Sequence, residues 1–206
     1  MVKSQVMKVL GGVALVAALV FNSASNTWAQ NTTALPAPPN ADFARATAVT
    51  PAGEGGGFTG NDAASVTFTG LPAGPKTLEL WLPQSATVAI TGLTLDDGAS
   101  LEAAPDARKT IVFHGSSITH AMEGEGAPGA WPAVAAALAD LRLVNLGWAG
   151  SCILSGLAAR IIRDQKADAI VLKLGINVHG DGVLKDRTFA DSAHSMISII
   201  REKHPT

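Results

Sequence analysis

The feature that most limits how this 206-residue chain can fold is a change of pattern after Pro105. Upstream, short apolar runs are separated by turn residues. Downstream, compact apolar runs alternate with stretches in which apolar residues recur every three or four positions. Strand then helix, repeated, is the arrangement of a parallel sheet, because parallel neighbours cannot be joined by a tight hairpin and need a crossover. Residues 111–114 form the first strand and enter Gly115-Ser116-Ser117, residues 141–146 form the second, and 169–174 form a third, buried strand. Between them, Trp131, Val134 and Leu138 fall on one face of a helix that tolerates Pro132 only in its first turn. Leu154, Leu157, Ala158 and Ile161 line the next helix. The last helix opens with Thr188-Phe189-Ala190-Asp191 as a capping box, buries Phe189, Ala193, Met196, Ile197 and Ile200, and stops at His204-Pro205. A doubly wound domain ordinarily carries about five or six strands. The expectation is therefore an incomplete sheet whose third strand has an apolar edge, with a fourth strand due where the sequence ends.

From about residue 42 to 106 the runs alternate with a period of two. Val66 and Phe68 alternate with small polar residues, and Leu78, Leu80 and Leu82 alternate with Thr77, Glu79 and Trp81, so each run can bury one face. Glycine-rich residues 55–57, Leu71-Pro72-Ala73-Gly74-Pro75 and Asp96-Asp97-Gly98 supply turns, the last closing a hairpin between 88–95 and 100–102. The expected architecture is a small all-β sandwich. It is preceded by a Pro- and Asn-rich stretch, 30–41, without apolar period, which reads as a flexible leader.

Residues 1–29 read as an export signal. Lys3 and Lys8 precede an apolar run that is shorter than the ~20 residues needed to cross a bilayer, and Thr27-Trp28-Ala29 offers small residues where a signal peptidase cuts. Cleavage is expected after Ala29, with no stable membrane anchor and a periplasmic or secreted product. It would change 15 basic and 17 acidic residues into 13 and 17, because Lys3 and Lys8 are lost and no acid is. A net negative chain is a poor partner for nucleic acid. The one cysteine, Cys152, excludes an intramolecular disulfide, so stability has to come from a core, for which a 47% hydrophobic composition suffices.

The chemistry-bearing residues cluster after the three strands. Ser117 follows the first strand at the carboxyl end of the sheet, where open α/β folds bind ligands, and a helix starting there would aim N–H groups and a positive dipole end at developing negative charge. Read alone, Ser116, Ser117 and Thr119 could equally form a turn and cap a helix. The second strand leads into Asn145-Leu146-Gly147-Trp148-Ala149-Gly150-Ser151, and the third into Leu174-Gly175-Ile176-Asn177. Gly150 permits close backbone approach to a substrate, and an Asn177 side-chain N–H could donate to a transition-state oxyanion, worth about 3–4 kcal/mol. Singly, each is a turn or cap residue; together, their order favours an oxyanion hole.

With these residues in view, the chain resembles the GDSL/SGNH hydrolases. Gly115-Ser116-Ser117-Ile118-Thr119 matches that family's first block with Ser116 in place of its aspartate. Gly150 aligns with the glycine that ends Asn-x-Gly-x-x-Gly, and Asn177 with the asparagine of Gly-x-Asn-Asp, whose last position is Val178 here. His-Gly-Ser-Ser-Ile-Thr-His and Leu-Lys-Leu-Gly-Ile-Asn-Val are similar to a branch with a β-sandwich before the catalytic domain, so the resemblance covers most of the chain after the leader. It implies a flavodoxin-like α/β domain over 107–206 after a sandwich over 42–106. It also implies Ser117 as nucleophile, the Ser117 and Gly150 N–H groups and Asn177 as oxyanion donors, an acyl or carbohydrate ester as substrate, and no cofactor.

The family's Asp-x-x-His block has no expected place in these residues. Asp191-Ser192-Ala193-His194 has its letters but falls in the helix after the third strand, where a surface pair explains it. His114 and His120 read as pocket lining or structure, since closeness along the chain does not aim a ring nitrogen. Histidines on separate segments without carboxylate or cysteine spacing make no metal site. Trp131 and Trp148 fit either a substrate pocket or the core. Without a base a serine hydroxyl is a weak nucleophile. Two functions therefore remain: a serine ester hydrolase, impaired without its histidine, or a non-catalytic remnant or carbohydrate-binding module.

Overall fold

The apolar runs after Pro105 form three parallel strands, β9 (Thr110–Gly115), β10 (Arg142–Gly147) and β11 (Ala169–Lys173), in a computed structural model of the chain. It describes residues 2–3, 5–10, 15–22, 47–49, 63–69, 73–81, 87–121, 127–179 and 183–205. The leader at 30–41, the glycines at 55–57 and the cleavage site after Ala29 lie outside these residues.

The chain divides into two units. One comprises Met1–Lys3, Arg108–Gly124 and Gly129–Thr206. Its sheet runs β1-β10-β9-β11, where β1 (Val2–Lys3) is antiparallel to β10 and the other pairs are parallel. The middle position of the first parallel strand is the start of a flavodoxin-like order. The connections are α1 (Ser117–His120), α2 (Trp131–Leu138) and α3 (Gly156–Arg163); α4 (Ile176–His179) and α5 (Asp186–Arg201) follow β11.

Strand residues alternate between faces. Val112, Val144 and Leu146 join Leu154, Ala158, Ala159, Ile162, Met196 and Ile200 in one core, beneath α3 and α5. Burying side chains such as Ile162, Met196 and Ile200 stabilises by roughly 1.5–3 kcal/mol each. On the opposite face Phe113 meets Trp131 edge-on, with ring centroids 5.1 Å apart.

Several helical faces differ from those the sequence suggests. α2 buries Pro132, Ala133 and Ala136 and leaves Trp131 and Leu138 largely outside, because alanines let the helix approach the sheet closely. α3 buries Ala158, Ala159 and Ile162 and exposes Leu157. The capping box at Thr188 does not form: α5 begins three residues earlier with Lys185 as N-cap, and the Thr188 hydroxyl donates to the Lys185 carbonyl at 3.0 Å. Its buried residues are Met196 and Ile200, whereas Phe189 and Ile197 are exposed. Nor is β11 buried on both sides. Ile170 and Leu172 pack on the core, while Ala169, Val171 and Lys173 are exposed, since among the described residues no helix covers that face of the strand.

The other unit, Ser4–Ala107 with Glu125–Pro128, contains two antiparallel sheets. β2 (Gln5–Leu10) lies between β6 (Lys76–Leu80) and β8 (Ser100–Ala103); β4 (Thr47–Val49), β5 (Ala63–Thr69), β3 (Leu15–Asn22) and β7 (Thr87–Leu95) form the second sheet in that order. Asp96 to Gly98 do turn the chain, with the Ala99 N–H donating to the Asp96 carbonyl at 3.1 Å. The expected hairpin is absent, however, because β7 pairs with β3 and β8 with β2, so this turn carries the chain from one sheet to the other.

Candidate active site

Parallel register fixes where the candidate residues emerge. Gly115 at the end of β9 pairs with Gly147 of β10 on one side and Lys173 of β11 on the other. Three neighbouring strands thus end level with one another, at the carboxyl edge where open α/β sheets form their ligand sites. Ser117 follows Gly115 by two residues, Gly150 follows Gly147 by three, and Asn177 follows Lys173 by four.

Ser117 is the first residue of α1, and Ser116, in extended conformation, is its N-cap, accepting from the Ile118 N–H at 3.3 Å. Ser116 is buried and Ser117 half-buried, so the serine that stands for the family's aspartate works as a cap, and its neighbour is the more exposed of the two. Gly150 is exposed with φ +70°, a left-handed conformation that other residues rarely adopt. Asn177 sits in α4, half-buried.

Hydrogen bonds tie these segments together. The Trp148 N–H donates to the Gly115 carbonyl at 2.7 Å, continuing the β9–β10 ladder past the strand end. Asn145, buried in β10, is used at both ends of its carboxamide: Nδ2 donates to the Thr119 carbonyl of α1 at 2.9 Å, and Oδ1 accepts from the Gly147 N–H at 2.9 Å. The Cys152 N–H donates to Asn177 Oδ1 at 3.3 Å, linking the loop after β10 to the segment after β11. With Oδ1 so engaged, the Asn177 Nδ2 protons are the end left to donate elsewhere.

Two glycines set how closely α1 lies on the strands. A Cβ on Gly147 would stand 2.6 Å from His120 Cα and 2.6 Å from the Thr119 carbonyl carbon, and one on Gly115 would stand 2.9 Å from the Lys173 carbonyl oxygen and 2.9 Å from Thr119 Cβ. Neither position has room for a side chain. A Cβ on Gly150 meets no atom within 4 Å, so that glycine is there for its backbone angle and leaves open space above it.

His114 does not point at Ser117. Its Nδ1 donates to the Leu146 carbonyl at 2.7 Å, its Nε2 faces Cys152 Sγ at 3.6 Å, and its ring meets Trp148 edge-on at 5.5 Å. Burial lowers the His114 pKa below the usual histidine value, against the raising effect of its Leu146 hydrogen bond, and burial pushes the Cys152 thiol up. Both groups are therefore neutral near pH 7. Asp191 and His194 are both exposed on α5, as a surface pair would be, and His204 Nε2 is engaged with the Arg163 carbonyl at 2.9 Å. Among the described residues no group of three His, Cys, Asp or Glu side chains could hold a metal ion. The sequence reading missed the Asn145 clamp and the His114–Cys152 pair. The first has a signal in the Asn-x-Gly spacing; the second unites residues from separate segments and has none.

Residues 108–206 match the GDSL-like lipase/acylhydrolase family. No curated protein sequence matches the chain. Among solved structures, the chain is similar to the salicylyl-acyltransferase SsfX3 from a tetracycline biosynthetic pathway, with 27% identity and a TM-score of 0.76 over 98% of this chain and 55% of that one. It is also similar in fold to a family two carbohydrate esterase from Clostridium thermocellum in complex with cellohexaose, with 17% identity, a TM-score of 0.60 and 98% and 65% of the two chains covered. A family two carbohydrate esterase from Cellvibrio japonicus shares the fold at 15% identity and a TM-score of 0.66, over 97% and 66%. The chain thus spans little more than half the length of SsfX3 and about two thirds of the esterases.

Proposed function

We propose that the chain is an exported serine ester hydrolase whose nucleophile is Ser117. The observation that carries this reading is the level ending of β10, β9 and β11, which sends Gly150, Ser117 and Asn177 from adjacent strand ends in a chain whose 108–206 segment matches an acylhydrolase family. Ser117 Oγ would attack an ester carbonyl, with the Ser117 and Gly150 N–H groups and Asn177 Nδ2 donating to the oxyanion. Collapse would expel the alcohol and leave an acyl-serine that water hydrolyses. Substrates are small-molecule or carbohydrate esters, and no step needs a cofactor.

The reading assigns Ser117 no base among the described residues. His114 is committed to Leu146 and Cys152, and His194 lies on the exposed side of α5. The expected behaviour is slow hydrolysis of a short-chain p-nitrophenyl ester that rises with added imidazole, vanishes in Ser117→Ala and is unchanged in His194→Ala. Equal rates for the chain and Ser117→Ala remove the enzyme and leave a scaffold or carbohydrate-binding module.

Export belongs to the same proposal. Among the described residues no helix is long and apolar enough to cross a membrane. Cleavage after Ala29 would remove Gln5–Leu10 and Leu15–Asn22, which are strands of the two antiparallel sheets. The processed and strand-bearing chains are alternatives for the same residues, and N-terminal sequencing of the exported protein separates them: processing gives Gln30 first.

A further inference from the structure

A carboxamide has two ends of nearly equal size and opposite polarity, so an oxyanion hole that uses Asn177 has to fix which end faces the substrate. The wrong end would set carbonyl lone pairs against developing negative charge. We infer that His114 and Cys152 are positioning residues that hold the Asn177 carboxamide with its Nδ2 end free, acting through the Cys152 backbone N–H. This rests on the reading of Asn177 as an oxyanion donor.

The bonds form one directed chain. The Leu146 carbonyl can only accept, so His114 Nδ1 carries the proton at 2.7 Å. In a neutral ring Nε2 is then an acceptor, and the contact with Cys152 Sγ at 3.6 Å has the thiol as donor. Both side chains are almost fully buried, at 1% exposure each, which favours this uncharged pairing and keeps water from competing for it. With its side chain anchored to β9, Cys152 presents its N–H to Asn177 Oδ1 at 3.3 Å. The Trp148 ring braces the imidazole edge-on. The path runs from the end of β10 through β9 to the segment after β11, so one buried pair sets the orientation of a residue beyond the end of the third strand.

Backbone hydrogen exchange, followed by NMR, reads this directly. Cys152→Ala keeps the residue-152 N–H but removes its anchor, and His114→Asn keeps a donor toward Leu146 while losing the acceptor at Nε2. Each variant should speed exchange of the residue-152 amide by about fivefold or more as that segment opens locally, with the amides of Val112 and Val144 unchanged. The double variant should be no faster than either single one, and Cys152→Ser, which retains a donor, should lie near the parent. If alanine disturbs folding, the serine and asparagine variants carry the comparison.

Unchanged exchange at residue 152 beside an intact sheet overturns the positioning role, whatever the turnover. In ester hydrolysis, Cys152→Ala should lower kcat with KM held, and should add no loss in an Asn177→Ala background; additive losses count against it. A parent chain whose turnover does not depend on Ser117, but whose exchange follows the pattern above, removes the esterase and leaves the pair as the clamp on Asn177.

Discussion

Gly147 is the place where a single methyl group tests the seating of the proposed nucleophile. In Gly147→Ala the new Cβ would stand 2.6 Å from His120 Cα and from the Thr119 carbonyl carbon, against about 3.4 Å for the start of ordinary contact. The shortfall is 0.8 Å (3.4 − 2.6) at these two atoms and larger still at the His120 backbone nitrogen, and no rotamer change can relieve it. Helix α1 has to retreat by at least that distance, and the bond from Asn145 Nδ2 to the Thr119 carbonyl, 2.9 Å in the parent, stretches beyond useful length. Overpacking costs about 1–3 kcal/mol. A buried polar group left unpaired costs about 1–3 kcal/mol more. The middle of the sum is ~4 kcal/mol, and a domain of this size loses roughly 4–8 °C of Tm per kcal/mol, so the expected drop is about 15 °C or more. Circular dichroism melts of the parent, Gly147→Ala and Gly150→Ala make the comparison. The last meets no atom within 4 Å and should cost only the ~1–2 kcal/mol of a left-handed alanine. A Gly147→Ala chain melting within a couple of degrees of the parent would show that α1 does not lie against β10 as described.

Three further outcomes are expected. Ser155→Ala removes the N-cap whose Oγ accepts from the Ala158 N–H at 3.2 Å, and should lower stability by about 1 kcal/mol in a denaturant melt, with Ser155→Asp recovering most of it. Asp168→Ala leaves the N–H of buried Thr110, now bonded to Asp168 Oδ2 at 2.7 Å, without its carboxylate, and should cost about 1–3 kcal/mol by the same measurement. The Arg163 and Lys203 partners hold the Asp164 carboxyl down from 3.8 to about 2, so its contribution is present above the ordinary aspartate pKa and is lost as pH falls from about 4 through 2. Because the group is fully exposed, the effect should be small and should fade in high salt, which a pH series of melts at two ionic strengths checks.

The sequence announced the three strands and placed the candidate residues after their ends because both depend on local signals: compact apolar runs, and glycine, serine or asparagine just after them. What it misjudged depends on what lies alongside. Large apolar residues suggested that Trp131 and Leu138 face the core, but Ala133 and Ala136 are the residues small enough to let α2 close on the sheet. The run at β11 looks buried on both faces because alternation is weak in its composition, yet exposure depends on which neighbours cover it, and Val171 is 37% exposed. Asp96-Asp97-Gly98 specifies a turn and says nothing of which sheet receives the next strand. His114 and Cys152 lie 38 positions apart, so no window along the chain pairs them.

Their pairing bears on how such a site divides its work. The strand ends and their clamps (Asn145 on α1, Cys152 on Asn177) hold the proposed donors and hydroxyl with buried, neutral groups, whose positions do not change with protonation near pH 7. A proton acceptor has the opposite requirement, since it must change charge during each turnover and so needs a partner or solvent to stabilise the cation. His114, desolvated and with both nitrogens engaged, is built for the first task and unfit for the second. His114 is therefore no candidate for activating the proposed nucleophile. A variant such as Cys152→Ala should alter positioning while leaving the response of Ser117 to added imidazole intact in its pH dependence.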